Sequence, residues 1–594
     1  MQLSKNKRNA IALGVVALVL CILYAVIRVV LMVVSLQGTL AEVDNLRAAA
    51  ANKDLGALSV SIGKAADAIE MADSSAKDPL VQLFSSTPII GNDIKAASVV
   101  ASDGRMVLLA AEEVTLVASQ LIKAGIGKEA LQDSALVASL RDGMSQMDSA
   151  VQELNTSLQA IDETQLHFGL DTRIKSAKET VSSFAAASAR LTPLVQVGTT
   201  VLEQKGKKRW FVSIQNLAEL RGTGGITGAF AVITTDNGKL KLEDYGSDNV
   251  LLETGPIDFK NYPEELRNLW GVDLTDLRDL NASAHAPYGA RLMADGWQQL
   301  MGKKVDGVLF IGHGIVSQLS GAVGEIEVRD VKLNKDNAVE LLAKEIYRIF
   351  PNPRVKDAVV GEMVKEMFSR LVDGKVSGGG LFAAAANDKT GDRVMAWSRD
   401  KATQQIFSKY QVSGEVPTAF GPHVFVTVNN AGGNKLDAYT TLKADYLLGI
   451  CNVDTFTGYQ GRKSRVTVEV TNSSPKGLPA YVDMRLDDSF GEPRPKGSNR
   501  LLVTIYGPVG SEAESLTVDG VEEFAINGMD RNRPLWIFDL QMLAGDTKEI
   551  VLNLVEPIND DNMEPVPSKQ ILTGPVMLNA PTLSSSSNGQ CSLR

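Results

Sequence analysis

The pattern of apolar and polar residues changes character along the chain, and its first segment predicts a membrane anchor. Residues 10–36 are almost continuously apolar, with a single charge at Arg28. A bilayer core needs about 20 such residues, so this segment predicts one spanning helix. Basic residues without an acid precede it, which predicts that residues 1–9 are cytoplasmic and the C-terminal bulk is extracellular. A cleaved signal peptide is the alternative, although its apolar region would be shorter, about 7–15 residues.

Residues 37–197 show the spacing of amphipathic helices and contain many alanines. Apolar residues recur at three- and four-residue steps, and the longest stripe consists of Leu136, Leu140, Met144, Met147, Val151, Leu154, Leu158 and Ile161. Breaks near residues 73–88, 124–128 and 167–169 divide the region into four helices, which predicts an antiparallel bundle. An apolar seam without converging polar groups favours a stalk, and a contact surface for homo-oligomers, over a ligand-sensing domain.

Beyond the bundle, two further patterns predict an α/β domain followed by a β-sandwich. In residues 205–420, runs typical of buried strands, such as WFVSI and VDGVLFI, alternate with helical patterns. In residues 421–558, short alternating runs such as RVTVEVTN are separated by Gly, Pro and Asn, which predicts the antiparallel strands of a sandwich. Residues 559–594 lose this periodicity and predict a flexible tail. The predicted fold class is therefore multidomain α+β, with one transmembrane helix and an antiparallel helical bundle before the α/β domain and the C-terminal β-sandwich.

Composition narrows the classes of function without naming one. The 594 residues include 60 Lys and Arg against 70 Asp and Glu, a net charge of −10, which argues against a nucleic-acid-binding protein. Three cysteines cannot form a disulfide framework, and four histidines spread along the chain do not predict a structural zinc site. Whether Cys451 and Cys591 pair stays open at this level.

The densest unusual chemistry lies in the segment NLAELRGTGGITG, between two predicted strands. Backbone N–H groups exposed at Gly222, Gly224 and Gly225 are suited to cradling an anion. Arg221 supplies a two-pronged, permanently charged donor for phosphate, and Glu219 is placed to orient it or to hold a cation. The alternative is a tight hairpin in which an ion pair between Glu219 and Arg221 ties the loop down.

A second candidate segment, DLRDLNASAHAPYGAR, follows about 50 residues later. Asp279 and Asn281 offer oxygen ligands to Mg²⁺, and Arg291 offers a second phosphate contact. The alternative is that Asn281 or Ser283 caps a helix. His313, in the run IGHG, follows a predicted buried strand, which favours a polar residue at a strand end over a catalytic base.

These segments resemble one family. The chain resembles the actinobacterial membrane-anchored proteins grouped as domain of unknown function four-zero-one-two, through the residues FVSIQNLAELRGTGGITGAFAVI, PIIGNDIKAA, KVDGVLFIG, GNKLDAYTT, TNSSPKGLPAYV and LLVTIYGP. The matching segments keep their order from about residue 80 to residue 555. The resemblance implies membership of the family but no particular reaction, because the family has no established activity.

A more distant similarity is to the LytR-CpsA-Psr family, whose members attach glycopolymers from polyprenyl-pyrophosphate carriers to peptidoglycan outside the cell. The similarity rests on the run LNASAHAPYGARLMADGWQQLMGKKVDGVLFIGHG. It implies a LytR-CpsA-Psr-like α/β fold in which Arg221 and Arg291 hold the carrier's phosphates, while Asp279 or Glu219 assists a Mg²⁺ ion. Residues 243–248 depart from that family, because they read EDYGSD where a Pro-Arg-Asp motif is expected. The missing arginine predicts weak carrier binding or a scaffold without catalysis.

These observations lead to two hypotheses about function. In the first, the chain is a single-pass protein of the cell membrane that binds, and in the stronger form transfers, a phosphate-linked envelope glycopolymer or its polyprenyl carrier. In the second, it is a non-enzymatic sensor or assembly scaffold of the envelope. Convergence of Arg221, Arg291 and an acid on one apolar groove favours the first hypothesis, and their dispersal favours the second. Whether the protein is an enzyme is left undecided by the residues alone.

Overall fold

The computed structural model describes residues 55–87, 90–123, 134–167, 169–253, 275–373, 394–418, 420–454, 460–487, 494–557 and 571–573, and the shorter pieces 42, 45, 256–257, 268–270, 375–376, 384–385 and 392. Within these ranges no helix is both long and apolar enough to span a membrane. The predicted span, residues 10–36, lies outside the described residues. The chain divides into two compact units, residues 1–199 and residues 200–594.

The first unit is built of helices, as the apolar periodicity predicts. Its helices are α1 (Leu55–Ala76), α2 (Pro79–Phe84), α3 (Gly91–Lys123), α4 (Ser134–Gln159) and α5 (Leu170–Leu202). Four of these helices are long and are separated near the predicted breaks. The short helix α2 lies within the first break, where Asp78 caps it and Pro79 occupies its first turn.

The core of the first unit forms on two sides of α3. On one side, alanines of α1 and α3 bury against each other, namely Ala72, Ala76, Ala97 and Ala101. On the other side, Ala96 of α3 packs with Leu154 and Leu158 of α4 and Ile174 of α5. Burial of a leucine or isoleucine side chain is worth about 1.5–3 kcal/mol, so the predicted apolar seam of α4 stabilises the unit.

The second unit contains an α/β domain built around one mixed sheet. Its strands are β1 (Lys207–Arg221), β2 (Gly224–Asp236), β3 (Lys239–Ser247), β4 (Gly307–Ile311), the hairpin of β5 (Ile326–Val328) and β6 (Val331–Leu333), and β7 (Met395–Ser398). The sheet has the order β3-β2-β1-β4-β7, and only β1 and β4 run parallel.

Helices cover both faces of this sheet. They are α6 (Asp248–Glu253), α7 (Ala286–Met301), α8 (His313–Val323), α9 (Ala338–Glu340), α10 (Ile346–Ile349), α11 (Pro353–Val372) and α12 (Lys401–Lys409). On one face, Phe211 and Phe230 stack on each other and pack at a tilt against Trp297 of α7. The opposite face, which includes Ile214, meets α8, α10 and α11.

The remainder of the second unit is a β-sandwich of two five-stranded sheets. Its strands are β8 (Val424–Asn430), β9 (Thr440–Asp454), β10 (Gln460–Asn472), β11 (Asn499–Tyr506), β12 (Glu512–Val518), β13 (Val521–Glu522), β14 (Ile526–Asp530), β15 (Arg533–Met542), β16 (Thr547–Pro557) and β17 (Ile571–Thr573), with the short helix α13 (Ala480–Asp483). The sheet orders are β13-β12-β16-β10-β9 and β14-β15-β11-β8-β17.

The sandwich core follows the alternation seen in its sequence. Val466, Val468 and Val470 of β10 are buried and pack with Val503 and Ile505 of β11 in the facing sheet. All strand pairs are antiparallel except that of β17 with β8. Because β17 comes from residues 559–594, that part of the predicted flexible tail is a strand at a sheet edge.

Candidate functional site

The glycine-rich segment is mostly strand, and the expected loop shrinks to a tight turn. Strand β1 continues to Arg221 and β2 starts at Gly224, so only Gly222 and Thr223 lie between them. A Cβ atom on Gly222 would lie 2.1 Å from the carbonyl oxygen of Ala282. The backbone of the turn is therefore in contact with protein, and the glycine is needed for this close approach.

The other two glycines of the candidate anion cradle are also packed. Gly224 has a φ of +146°, and a Cβ atom there would meet the side chain of Gln215 at 2.4 Å. A Cβ atom on Gly225 would lie 2.2 Å from the carbonyl oxygen of Asn216. These positions favour glycine for conformational and steric reasons, which is the hairpin alternative rather than a cradle for a ligand.

Arg221 is only 7% exposed and its donors are all engaged. Its Nε and Nη2 atoms donate to Oδ1 of Asp279 at 3.0 and 2.6 Å, and Nη2 also donates to Oε1 of Glu219 at 2.9 Å. Its Nη1 atom donates to the carbonyl oxygens of Leu220 at 2.7 Å and Asn430 at 3.4 Å. A guanidinium has five N–H groups, and these five contacts account for each of them.

The two candidate metal ligands, Glu219 and Asp279, flank Arg221. Burial by itself raises the pKa of Glu219, but the charges of Lys435 and Arg221, with their hydrogen bonds, lower it to about 2. Burial raises the pKa of Asp279, with Glu219 nearby acting in the same direction and Arg221 opposing it. Glu219 also forms an ion pair with Lys435 of the sandwich. The α/β domain and the sandwich thus share one buried set of charges.

Asp437, also from the sandwich, completes this set. Its carboxylate accepts hydrogen bonds from the backbone N–H of Leu220 at 2.7 Å and from the amides of Asn430 at 2.9 Å and Asn499 at 2.8 Å. Burial raises its pKa to about 6 in spite of these bonds. We refer to Glu219, Arg221, Asp279, Lys435 and Asp437 together as the joint.

The second candidate segment packs against the first. Asn281 donates to Oγ1 of Thr223 at 2.7 Å and to the carbonyl oxygen of Gly225 at 2.9 Å, and the N–H of Thr223 donates to the carbonyl oxygen of Asn281 at 3.3 Å. Asn429 of the sandwich accepts from the N–H of Gly222 and donates to the carbonyl oxygen of Ala282, both at 3.0 Å. The two motifs are therefore interlocked beside strand β8.

Ser283 reaches the sandwich as well and does not cap α7. Its hydroxyl donates to Oδ2 of Asp530 at 2.9 Å, and the hydroxyl of Tyr506 donates to the same oxygen at 3.1 Å. Helix α7 starts after His285 and has no side-chain cap. The capping alternative for Asn281 and Ser283 is wrong at this helix, because both side chains bind across to neighbouring segments.

Arg291 has a quite different environment from Arg221. It lies on α7 with its side chain 74% exposed, and its Nε atom is 4.0 Å from a carboxylate oxygen of Asp295. The two arginines that the sequence grouped as phosphate contacts therefore do not share a partner. The structure brings Arg221, Glu219 and Asp279 together and leaves Arg291 outside their set of contacts.

The donor set does not fit Mg²⁺. The carboxylates of Glu219 and Asp279 are bridged by Arg221, and Glu219 also contacts Lys435, so a metal ion would compete with two cations already in place. Within the described residues, no group of three or more His, Cys, Asp or Glu side chains is arranged to hold a metal ion.

Sequence reasoning missed the sandwich half of this site. Lys435 and Asp437 lie more than 200 residues from their partners Glu219 and Leu220. A signal was present, because both residues belong to the segment GNKLDAYTT, which carried part of the family resemblance. Its significance becomes visible only when the fold places that segment beside the end of β1.

Comparison with known proteins identifies one part of the chain. No curated protein and no solved structure shows a significant match. Residues 205–347, which include both candidate segments, match one family model. We refer to the glycine-rich segment NLAELRGTGGITG as the signature. The family resemblance that it carries is confirmed over this range, and residues 205–347 carry the domain described as Protein of unknown function (DUF4012).

Proposed function

We propose that the chain is a non-enzymatic assembly scaffold of the cell envelope, in which the signature residues hold the α/β domain and the sandwich as one rigid body. The observation that carries this proposal is the environment of Arg221. Each of its five N–H groups is bound by another group of the protein, so no donor is left for a phosphate. Arg221, the side chain of the signature that is best suited to bind an anion, thus has a structural role.

Apolar contacts support the same role. Leu217 and Leu220 belong to the signature and are 1% and 2% exposed. Both pack into the core of the sandwich, with valines of β8 such as Val426. Removing two buried leucines from water contributes about 3–6 kcal/mol, an amount comparable to the net stability of a domain. The signature therefore acts as an insert that anchors one domain in the core of the other.

The charge of the joint also disfavours an anionic ligand. Arg221 and Lys435 provide two positive charges, against which stand the carboxylates of Glu219, Asp279 and Asp437. A pyrophosphate group would add further negative charge to a buried set whose cations are already neutralised. Ion pairs of this kind are costly to separate, since each partner would be left buried and uncompensated.

The proposal includes the membrane location and the distant kinship inferred from the sequence. Residues 10–36 anchor the chain, the N-terminus is cytoplasmic, and the bulk lies outside the cell. The α/β domain has a LytR-CpsA-Psr-like fold in which the place of a phosphate ligand is taken by side chains of the sandwich, such as Asn429 and Asp437. The absence of a Pro-Arg-Asp motif from residues 243–248 fits a domain without transfer activity.

A binding experiment separates the scaffold from a carrier-binding protein. Full-length protein in phosphatidylcholine nanodiscs is titrated with farnesyl pyrophosphate by calorimetry, with and without Mg²⁺. The scaffold predicts no saturable binding. Saturable binding that disappears in Arg221→Lys, while the unfolding curve of that variant stays unchanged, would contradict the proposal.

A complementation experiment tests the scaffold directly. We refer to Glu219, Arg221 and Asp279 as the ion trio. The triple variant Glu219→Gln, Arg221→Met, Asp279→Asn replaces these three charged side chains by neutral groups of similar volume. Expressed at the wild-type level in a strain that lacks the chain, this variant is expected to restore detergent resistance of the envelope as well as the wild type does. Failure to restore it at equal protein level would assign a chemical role to the trio and overturn the proposal.

A further inference from the structure

A pocket lies in the α/β domain, apart from the joint and on one face of its sheet. Its floor is formed by β1 and β2, and its walls by α8, α10 and α11. Most of the lining is aliphatic or methionine, including Ile214, Val316, Leu342, Val360, Met363 and Met367. Its cavity volume is about 40 Å³. The pocket is thus narrow and apolar.

One polar side chain in this lining has an unused hydrogen-bonding atom. His313 is 4% exposed, and its Nδ1 atom has no partner among the described residues. Burial lowers the pKa of His313 to about 3, so its ring is neutral at physiological pH. A buried polar atom left without a hydrogen bond destabilises the folded protein. A ligand with a neutral hydrogen-bonding group would recover this energy.

The other polar groups of the pocket are already partnered. Asn216 donates to the hydroxyl of Tyr347 at 2.7 Å, and it accepts a hydrogen bond from the N–H of Ala218 at 3.0 Å. Lys356 is buried in an ion pair with Asp357. The pocket therefore offers no free positive charge for a phosphate or carboxylate, which argues for a neutral ligand.

Two features in the wall of the pocket can change conformation when a ligand enters. Residues Leu341–Glu345, between α9 and α10, form a π-helical turn, and Leu342 in that turn lines the pocket. Such turns are rare and occur frequently at functional sites. Met363 and Met367 line the opposite wall, and methionine side chains have three rotatable bonds, so they can yield to an entering chain.

We propose that this pocket binds an aliphatic chain that ends in a neutral hydroxyl group, with the hydroxyl hydrogen-bonded to Nδ1 of His313. The chain lies between the sheet and α11, where it displaces the two methionine side chains. This site is independent of the scaffold role, since it shares no residue with the joint.

Site-specific photolabelling tests the inference. Full-length protein in phosphatidylcholine nanodiscs is irradiated with a diazirine analogue of 1-dodecanol, and the labelled peptides are identified by mass spectrometry. Labelling is expected in the peptides of α8 and α11, and an excess of 1-dodecanol is expected to reduce it at least fivefold. An equal excess of dodecane is expected to compete less well, because it cannot bond to His313.

Two variants and one matched control make the result decisive. Val360→Trp fills the half-buried rim of the pocket, and His313→Phe removes the hydrogen bond while keeping an aromatic ring. Both are expected to reduce labelling of α11 at least fivefold, whereas His423→Phe in the sandwich leaves it unchanged. Three results would overturn the proposal. They are no labelling of α11 in the wild type, labelling of α11 that persists in both variants, and labelling that dodecyl phosphate blocks better than 1-dodecanol does.

Discussion

The joint and the pocket lie close together along one strand, and they use polar groups in opposite ways. Asn216 of β1 lines the pocket, and Arg221 of the joint is five residues further on. In the joint, charged side chains are dense and their hydrogen bonds are made within the protein. In the pocket, charges are few, and the Nδ1 atom of the buried His313 has no partner in the part of the chain that the structure describes. Spare hydrogen-bonding capacity, rather than density of charge, marks a place for a ligand.

The difference also concerns rigidity. The joint is packed by glycines whose backbone touches neighbouring backbone, as at Gly222, where no Cβ atom fits. The pocket is walled by methionines and by a π-helical turn, both of which adapt at low cost. We therefore expect substitutions in the joint to lower stability and substitutions in the pocket to affect binding. The following predictions test the first half of this statement.

The largest effect is expected for Arg221→Met. Removing the guanidinium leaves the carboxylate of Asp279 buried without its cation and leaves Glu219 with Lys435 alone, which lowers the free energy of unfolding by about 3–5 kcal/mol. The measurement is denaturant unfolding of the full-length protein, followed by tryptophan fluorescence. The double variant that also carries Asp279→Asn is expected to recover most of this loss, because Glu219 keeps its ion pair with Lys435. An unfolding curve of Arg221→Met identical to that of the wild type would show that the ion pairs of the joint do not stabilise the protein.

The joint shows which features of the protein can be predicted from its sequence and which cannot. The elements follow from local patterns: the run VDGVLFI, which predicts a buried strand, contains β4, and all five residues of β4 are buried. The charged residues that act together, Glu219, Arg221 and Asp279, were also named in advance. The sequence leaves their role open between an anion site and a hairpin tied down by Glu219 and Arg221, because a glycine-rich charged segment looks the same whether its N–H groups face a ligand or a neighbouring strand.

The missing half of the joint could not be derived from local patterns. Lys435 and Asp437 come from the sandwich, and their contacts with β1 depend on how two domains dock. Neither helical nor strand periodicity contains that information. His313 illustrates the reverse case: the sequence predicts that it follows a buried strand, but that its Nδ1 atom has no partner among the described residues is a property of the packed pocket.

A somewhat smaller effect is expected for Gly222→Ala. The new Cβ atom would lie 2.1 Å from the carbonyl oxygen of Ala282, and backbone must move to admit it. Overpacking of this kind lowers the free energy of unfolding by about 1–3 kcal/mol. Gly63→Ala in α1 is the matched control, because a Cβ atom there meets nothing within 4 Å and alanine favours a helix. Equal unfolding curves for the two alanine variants would show that the turn is not tightly packed.

A third, smaller effect concerns pH. Because the pKa of Asp437 is about 6 in the folded protein and 3.8 in the unfolded chain, protonation favours the folded state. Acidification from pH 7 to pH 5 therefore raises its contribution to the free energy of unfolding by about 1 kcal/mol. The variant Asp437→Asn lacks this contribution. Other buried groups titrate in both proteins, so the measured quantity is the difference between the two unfolding free energies at each pH.

The contribution of Glu219 to the free energy of unfolding depends on pH with the opposite sign, and this sets the lowest pH that is useful in that experiment. Its folded pKa of about 2 lies below its unfolded value of 4.5, so its contribution is lost only as the pH falls through that range. Measurements between pH 7 and pH 5 thus report Asp437 without interference from its neighbour. A difference that stays constant over this range would mean that Asp437 does not titrate there.

The smallest effect is expected for Arg291→Ala, and it is the sharpest test of the comparison. The side chain of Arg291 is 74% exposed, and its ion pair with Asp295, four residues away, has an N–O distance of 4.0 Å. Such a surface pair contributes about 0–0.5 kcal/mol, roughly a tenth of the effect expected for Arg221→Met. Unfolding of the two variants is measured side by side, together with the farnesyl pyrophosphate titration. If instead Arg291→Ala and Arg221→Lys both left stability intact and both abolished a saturable heat of binding, the two arginines would act as a pair on an anion, and the structural role assigned to the joint would have to be given up.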